Sequence, residues 1–295
     1  MKIFKKISEE NEIYCTAGKE YCMVTSTSDL YRCNCYWNYF VDRYDLKDYE
    51  QFDKDFDNNL SLACKKYECY NRNCDTYFVE TWKNNKIINY DHSIFWRKKY
   101  SSINEVHNNG HFFIHCEPVK GCPNKCPYCA IHLTGQHKVT SMIDVSLFEE
   151  FLSYFARKKQ GMKLISFAGA GEPFLHDNFE QLVDISIKLG YHVHITTSAL
   201  HFVDKIFKVK DLSNITMNVS LHPSSHKWDE KKVLTFISKL KANKCSICTT
   251  MVQYDKNIMF TDDLENKIKS ISRDIAFIKL DYVDHLGIIK KVLNT

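Results

Sequence analysis

From residue 111 onward, short apolar runs alternate with amphipathic segments, and this alternation limits the fold more than any other feature of the chain. The runs HFFIHCEPV (111–119), KLISFAG (163–169), YHVHITTS (191–198), ITMNVSLH (215–222), CSICTTMVQY (245–254) and IAFIKLDYV (275–283) are rich in Ile, Val, Phe and Thr and read as strands. Between them, Leu147, Phe148, Phe151, Leu152 and Phe155 recur on one helical face, as do Phe179, Leu182, Val183 and Ser186, and Val233, Phe236, Ile237 and Leu240. Asp144 or Ser146 is placed to cap the first of these helices, and Gly190 to end the second. Strands separated by helices imply βαβ units and a parallel sheet, which right-handed crossovers curl into a complete or partial barrel. The expectation is an α/β fold, a partial (β/α)6 barrel, with the ligand site in the loops that leave the carboxyl ends of the strands.

The chain has 295 residues, room for such a barrel and a smaller appendage. With 44% hydrophobic and 26% charged residues it is a globular composition, not a disordered one. The net charge of +4 is spread along the chain, so it carries no electrostatic footprint for nucleic acid. The opening MKIFKKISEENEIYC lacks an apolar run of signal-peptide length, and no later segment approaches membrane-spanning length. The reading is cytoplasmic, with no membrane partner. In a reducing compartment 13 cysteines point to metal, catalysis or burial rather than to a disulfide framework.

Seven of them, Cys15, Cys22, Cys33, Cys35, Cys64, Cys69 and Cys74, fall in the first quarter among tyrosines and acidic residues. That quarter shows little periodicity and no obvious apolar core, so it is expected to need a cross-link or a metal. Residues 98–110 are polar and read as a linker. The expected organisation is a cysteine-rich domain at 1–97, the linker, and the partial barrel at 111–295.

The sequence GCPNKCPYC (121–129) follows the first strand directly and spaces Cys122, Cys126 and Cys129 as C-x3-C-x2-C. Structural zinc closes its coordination sphere with four ligands, whereas a catalytic centre keeps a position open. Three thiolates on a [4Fe–4S] cube ligate three irons and leave the fourth for a small molecule. Zinc with Cys116 as a fourth ligand stands as the alternative.

With Tyr128 in the aromatic place of C-x3-C-x-aromatic-C, the loop resembles that of the radical S-adenosylmethionine (SAM) enzymes. The resemblance covers about 111–283. It implies a [4Fe–4S] cluster whose open iron chelates SAM, reductive cleavage to a 5′-deoxyadenosyl radical, and hydrogen abstraction from an unactivated carbon. FAGAGEP (167–173) resembles the family's glycine-rich G-E-P motif, which places Gly171 and Glu172 at the methionyl amino group and Gly169 and Ala170 in the turn. By the same resemblance Thr197 and Ser198 of ITTSA, where relatives often carry T-T-N-G, and Ser220 of VSLHP are cofactor contacts. The departures are Ser198-Ala199 in place of Asn-Gly and the lack of a G-x-I-x-G-x-x-E after the fifth strand. Flavodoxin or ferredoxin is the implied electron donor. Cys245 and Cys248 read as buried core away from the site, and His192 and His194 as satisfied core or rim histidines, with His222 the likeliest exception.

CTAGKEYCMVTSTSDLYRC (15–33) followed by CKKYECYNRNC (64–74) resembles the auxiliary-cluster modules called SPASM and twitch. The resemblance makes Cys15 and Cys33 a pair flanking a β-hairpin, with Ser28 where a glycine is usual, and adds Cys64, Cys69 and Cys74 as later ligands. It implies one auxiliary [4Fe–4S] cluster, against a zinc-stapled knuckle as the alternative. Cys22 and Cys35 are either buried residues or ligands of a second cluster. Proteins similar in this module act mostly on ribosomally made peptides, by oxidation, epimerisation or cross-linking. A sugar or aminoglycoside-like molecule is the alternative substrate, and a non-catalytic zinc-binding adaptor the alternative from another class.

Overall fold

The computed structural model describes residues 11–15, 21–31, 43–57, 78–82, 87–91, 110, 112–126, 129–223, 227–253 and 262–281. Contacts divide the chain into two compact units, one of Met1–Val24, Ser28–His115 and Ser153–Lys163, the other of Thr25–Thr27, Cys116–Leu152 and Leu164–Thr295.

The described elements of the first unit are β1 (Asn11–Cys15), β2 (Tyr21–Val24), β3 (Asp29–Tyr31), β4 (Arg43–Asp45), α1 (Tyr49–Asp57), β5 (Phe78–Trp82), β6 (Ile87–Asp91) and most of β7 (Phe112–Cys116). β1, β5 and β6 form an antiparallel sheet, and β7, β2, β3 and β4 lie side by side in that order. All four residues of β2 are buried, together with Leu30, Leu46, Phe52, Phe112, Phe113 and Phe155. Phe112 stacks on Phe155 at 4.4 Å and Tyr21 tilts against Phe113 at 5.1 Å. Buried Asp53 accepts a hydrogen bond from Tyr154 Oη at 2.9 Å and pairs with Lys158 and, at 3.9 Å, Lys159. This corrects the expectation that the first quarter lacks an apolar core. Its core is completed by residues 112–115 and 153–158, too far along the chain for any local window to include.

In the second unit come β8 (Val119–Lys120), α2 (Ala130–Leu133), β9 (Ser141–Met142), α3 (Val145–Lys158, its last six residues in the first unit), β10 (Lys163–Phe167) and α4 (Phe179–Lys188). They are followed by β11 (His192–Thr197), β12 (Ile215–Leu221), α5 (Glu230–Ala242), β13 (Ser246–Gln253), α6 (Asp262–Ile271) and β14 (Ala276–Asp281). Strands β10 to β14 are neighbours in sequence order and all parallel, so their carboxyl ends share one edge. All six expected strands form, and the three expected helical faces are α3, α4 and α5. Asp144 is the cap of α3, its Oδ1 accepting Leu147 N–H at 2.8 Å, and Gly190 ends α4 at φ +81°.

One link differs from the expected alternation. Between β11 and β12 the chain makes a 3-10 stretch at Val203–Lys208 where a helix was expected. α6 fills its link as the alternation implies, although no helical face marked it, because DDLENKIKSI buries Leu264 and Ile268, too few apolar positions for a periodic signal.

β12 buries Ile215, Met217, Val219 and Leu221 and turns Thr216, Asn218 and Ser220 to its other face, the period-two pattern of a strand. Phe167 is fully buried at the end of β10, with rings of Phe148 and Phe179 at 6.0 and 5.3 Å. No helix of the described residues is long and apolar enough to cross a membrane.

Replacing Phe167 by Ala leaves a cavity between α3 and α4 and is expected to cost about 3–5 kcal/mol in urea unfolding. Asp229→Ala removes only the cap that accepts Lys232 N–H at 3.0 Å, and in the same assay is expected to cost about 1 kcal/mol.

Candidate active site

Two loops leaving the sheet are bound to each other by their backbones. Gly121, which opens the cysteine loop, donates its N–H to Ala170 O at 2.9 Å, and Gly121 and Gly171 form a parallel bridge. Ala168 N–H reaches Cys116 O at 3.1 Å, and Ala170 N–H reaches the buried carboxylate of Glu117 at 3.1 Å. Gly171 serves this close approach, and Gly121 serves another, to the backbone at Lys138 that closes the cysteine loop. A Cβ on Gly121, at φ +106°, would lie 2.0 Å from Lys138 O, and one on Gly171 would lie 2.6 Å from Val119 Cγ2. Gly169 at φ +109° faces the Glu117 side chain in the same way.

The cysteine loop folds back on itself through Cys129 N–H to Cys126 O at 3.0 Å, and is closed by Cys122 N–H to Gln136 O at 3.1 Å. Cys126 is buried, and Cys122 and Cys129 are half-buried. Burial pushes the Cys122 and Cys126 thiols up to about 12, with the charges of Glu172, Cys129 and Cys126 adding to the rise at Cys122 and those of Cys129 and Glu172 at Cys126. The three cysteines and Glu172 therefore act on one another electrostatically. Tyr128 lies outside the described residues.

Glu172 is 4% exposed and follows β10 directly after Gly171. Thr197 Oγ1 donates to its Oε1 at 2.6 Å, while Ser198 N–H and Ser198 Oγ donate to its Oε2 at 2.9 and 2.7 Å. Burial holds the Glu172 carboxyl above its ordinary value, and these donors with the Phe174 N–H offset only part of that rise. Thr197 and Ser198 are thus spent on Glu172. Thr197 Oγ1 also accepts Ala199 N–H at 3.0 Å, and Ala199 is held at φ +58°. Sequence reasoning missed three further residues: Glu117, Asn124 and His201. Asn124 Nδ2 donates to Ser198 Oγ at 2.9 Å, and His201 Nε2 lies 2.7 Å from Asn124 Oδ1. A charged residue breaking an apolar run was the available signal for Glu117, and nothing local marked the other two.

Ser220 is half-buried near the carboxyl end of β12, in register with Thr250. His222 follows it, and burial pushes its imidazole down to about 4. His192 and His194 are partnered by Thr216 at 2.9 Å and Ser166 at 3.0 Å, as expected of satisfied core histidines. Cys245 is buried and Cys248 half-buried in β13. Cys22 is a buried core residue of β2. Cys15 ends β1, and the side chains of Cys15, Cys33, Cys35, Cys64, Cys69 and Cys74 lie outside the described residues.

Among the described residues, no three His, Cys, Asp or Glu side chains converge on a point that would hold one metal ion. An iron–sulfur cube does not require that, because each thiolate holds a different iron. No cation stands among the main influences on Cys122, Cys126 or Glu172. Two buried thiols and a buried carboxyl that all favour their protonated forms are eased by positive charge, so the donor set suits an iron–sulfur cluster and a cationic cofactor.

Residues 116–254 match the model of the Radical SAM superfamily. Among solved structures, the chain is similar to anSMEcpe with bound AdoMet, at 19% identity over 57% of this chain and 51% of that one, with TM-score 0.46. It is similar to Streptococcus suis SuiB bound to precursor peptide SuiA, at 13% identity, 92% and 62% coverage and TM-score 0.47. A third is BtrN in complex with AdoMet and 2-DOIA, at 18% identity, 58% and 57% coverage and TM-score 0.34. The match with anSMEcpe spans about half of that chain's length.

Two glycine variants separate loop packing from backbone strain. Gly135 stands at φ +73° with nothing within 4 Å of a Cβ, so Gly135→Ala is expected to cost about 1 kcal/mol in thermal unfolding. Gly121→Ala adds a clash with backbone, and in the same measurement it is expected to lose more than about 3 kcal/mol.

Proposed function

We propose that this chain is a radical SAM enzyme, holding a [4Fe–4S] cluster on Cys122, Cys126 and Cys129 and S-adenosylmethionine beside it. One observation carries the reading. The family match at 116–254 contains the three-cysteine loop, and that loop is bound by backbone contacts to the loop of a buried carboxyl held by hydroxyl and N–H donors. When bound, the cluster and SAM supply one-electron cleavage of the sulfonium bond and a radical that takes hydrogen from an unactivated C–H bond.

The chain's own residues bind and orient. Burial keeps the Cys122 and Cys126 protons on sulfur until a metal displaces them, so loading of the loop releases protons. Glu172 is held in position by Thr197, Ser198 and Phe174 before any ligand arrives, and the ammonium group of SAM would favour the ionised carboxylate that burial disfavours. Gly169, Ala170 and Gly171 shape the turn that sets Glu172, and Ser220 is placed for the ribose or carboxylate. The zinc reading requires convergence on one ion, which the described residues do not show.

The finer parts of the proposal are a partial (β/α)6 barrel over 111–295, a SPASM/twitch-like domain at 1–97 and a linker at 98–110. β2 and β3 pair antiparallel between Cys15 and Cys33, and Ser28 takes φ +58° where a glycine is usual, which supports the hairpin part. An auxiliary [4Fe–4S] cluster on ligands drawn from Cys15, Cys33, Cys64, Cys69 and Cys74, flavodoxin or ferredoxin as electron donor, and a ribosomally made peptide as substrate complete it.

Anaerobically purified protein is expected to contain iron and sulfide in equal amounts and, with reductant and SAM, to form 5′-deoxyadenosine. Alanine at Cys122, Cys126 and Cys129 abolishes that product, whereas Cys245→Ala keeps it. Zinc as the sole metal overturns the proposal. Mass analysis with peptide and sugar substrates then separates the two substrate classes.

A further inference from the structure

Between the first two cysteines of the loop stands Asn124, which is 4% exposed and reaches across to the end of β11. The hydrogen bonds around it have a single direction. Ser198 Oγ has one proton, which it gives to Glu172 Oε2 at 2.7 Å, so toward Asn124 it can only accept. Turning the amide over would set Asn124 Oδ1 against that oxygen, acceptor against acceptor, at the 2.9 Å now spanned by the Nδ2 donor. Asn124 Oδ1 therefore faces His201 Nε2 at 2.7 Å, and that nitrogen carries the hydrogen. Burial first, then the charges of Lys227 and Lys232, lower the His201 imidazole and favour its neutral form. The chain runs His201 to Asn124 to Ser198 to Glu172, each bond donating toward the carboxylate.

Resting on the reading above, we propose that Asn124 is a positioning residue that ties the cysteine loop to Glu172 through Ser198, so that the order of the loop and the binding of the ammonium-bearing cofactor at Glu172 are coupled. Asn124 spans from the cysteine loop to Ser198 Oγ at 2.9 Å. His201, half-buried at the outer end, fixes which way the amide faces. Because the bonds polarise in one direction they also strengthen the donor that Ser198 offers to Glu172. A residue that merely filled space would tolerate an isosteric change. One that transmits a directed hydrogen bond would not.

Asn124→Asp keeps the volume but removes the donor and turns a second carboxylate toward Ser198. In metal-free protein, amide hydrogen exchange at Ser198 is expected to rise about tenfold in this variant, and after reconstitution the Kd for SAM to rise about tenfold with iron content unchanged. His201→Ala is expected to shift both in the same direction by about threefold, and His201→Gln, whose side-chain amide again donates, to return both to within about twofold of wild type. Exchange and affinity in Asn124→Asp within about twofold of wild type overturn the proposal, as does a His201→Gln variant no better than His201→Ala. Should Asn124→Asp fail to fold, the two His201 variants decide by the same measurements. A wild-type protein that reconstitutes iron but binds no SAM overturns the functional reading alone, and exchange at Ser198 still decides the tether.

Discussion

A carboxyl group taken out of water must be held by dipoles where no cation stands beside it, and among the described residues those around Glu172 are arranged to that requirement. Its donors, two hydroxyls and two backbone N–H groups, come from residues just past β10 and from the end of β11. Parallel pairing makes this possible. Phe167 at the end of β10 is level with Ile195, so the chain leaving β10 runs beside the last residues of β11. An antiparallel neighbour would bring the opposite end of its strand to that place. The cysteine loop then joins the same edge through Gly121, and its thiols feel the charge that the donors have fixed.

Most of this architecture was legible because it rests on short-range patterns. Alternating burial and helical faces specify β10 to β14 and α3 to α5 without reference to distant residues, and Asp144 and Gly190 mark helix ends by local chemistry. Where the pattern is thin the sequence marks no helical face. α6 buries two side chains, and the link after β11 is a 3-10 stretch with no periodic face to detect. The core of the first unit was hidden for a different reason. Phe112, Phe113 and Phe155 complete it from segments that the sequence reads as belonging to the barrel.

The site divides along the same line. Cys122, Cys126, Cys129 and Glu172 stand in compact motifs whose chemistry is local, so residue type and spacing reveal them. Glu117, Asn124 and His201 matter only because the fold brings them to Ala170, Ser198 and Asn124 in turn. Gly171 was found but for an incomplete reason. The resemblance placed Gly171 at a ligand, whereas it is required where its backbone approaches Val119 and Gly121 of the neighbouring loop, and Gly121, unmarked in the sequence, is required where the cysteine loop returns at Lys138. A glycine-rich motif in such a fold sets the distance between loops before it sets the distance to a cofactor.

The departure at Ser198-Ala199 is explained by the same constraint. The position after Ser198 takes φ +58°, a conformation glycine adopts freely and alanine at a cost of about 1–2 kcal/mol. That cost is offset where Ala199 N–H binds Thr197 Oγ1, the hydroxyl that donates onward to Glu172. Three residues later Phe202 is also left-handed, at φ +46°, and is 66% exposed. Two strained residues within four positions, just past the strand whose end donates to Glu172, place the strain beside the buried carboxyl rather than at random on the surface. A chain that can hold an alanine there has over-determined the turn, and it has done so with the hydrogen bonds that fix Glu172.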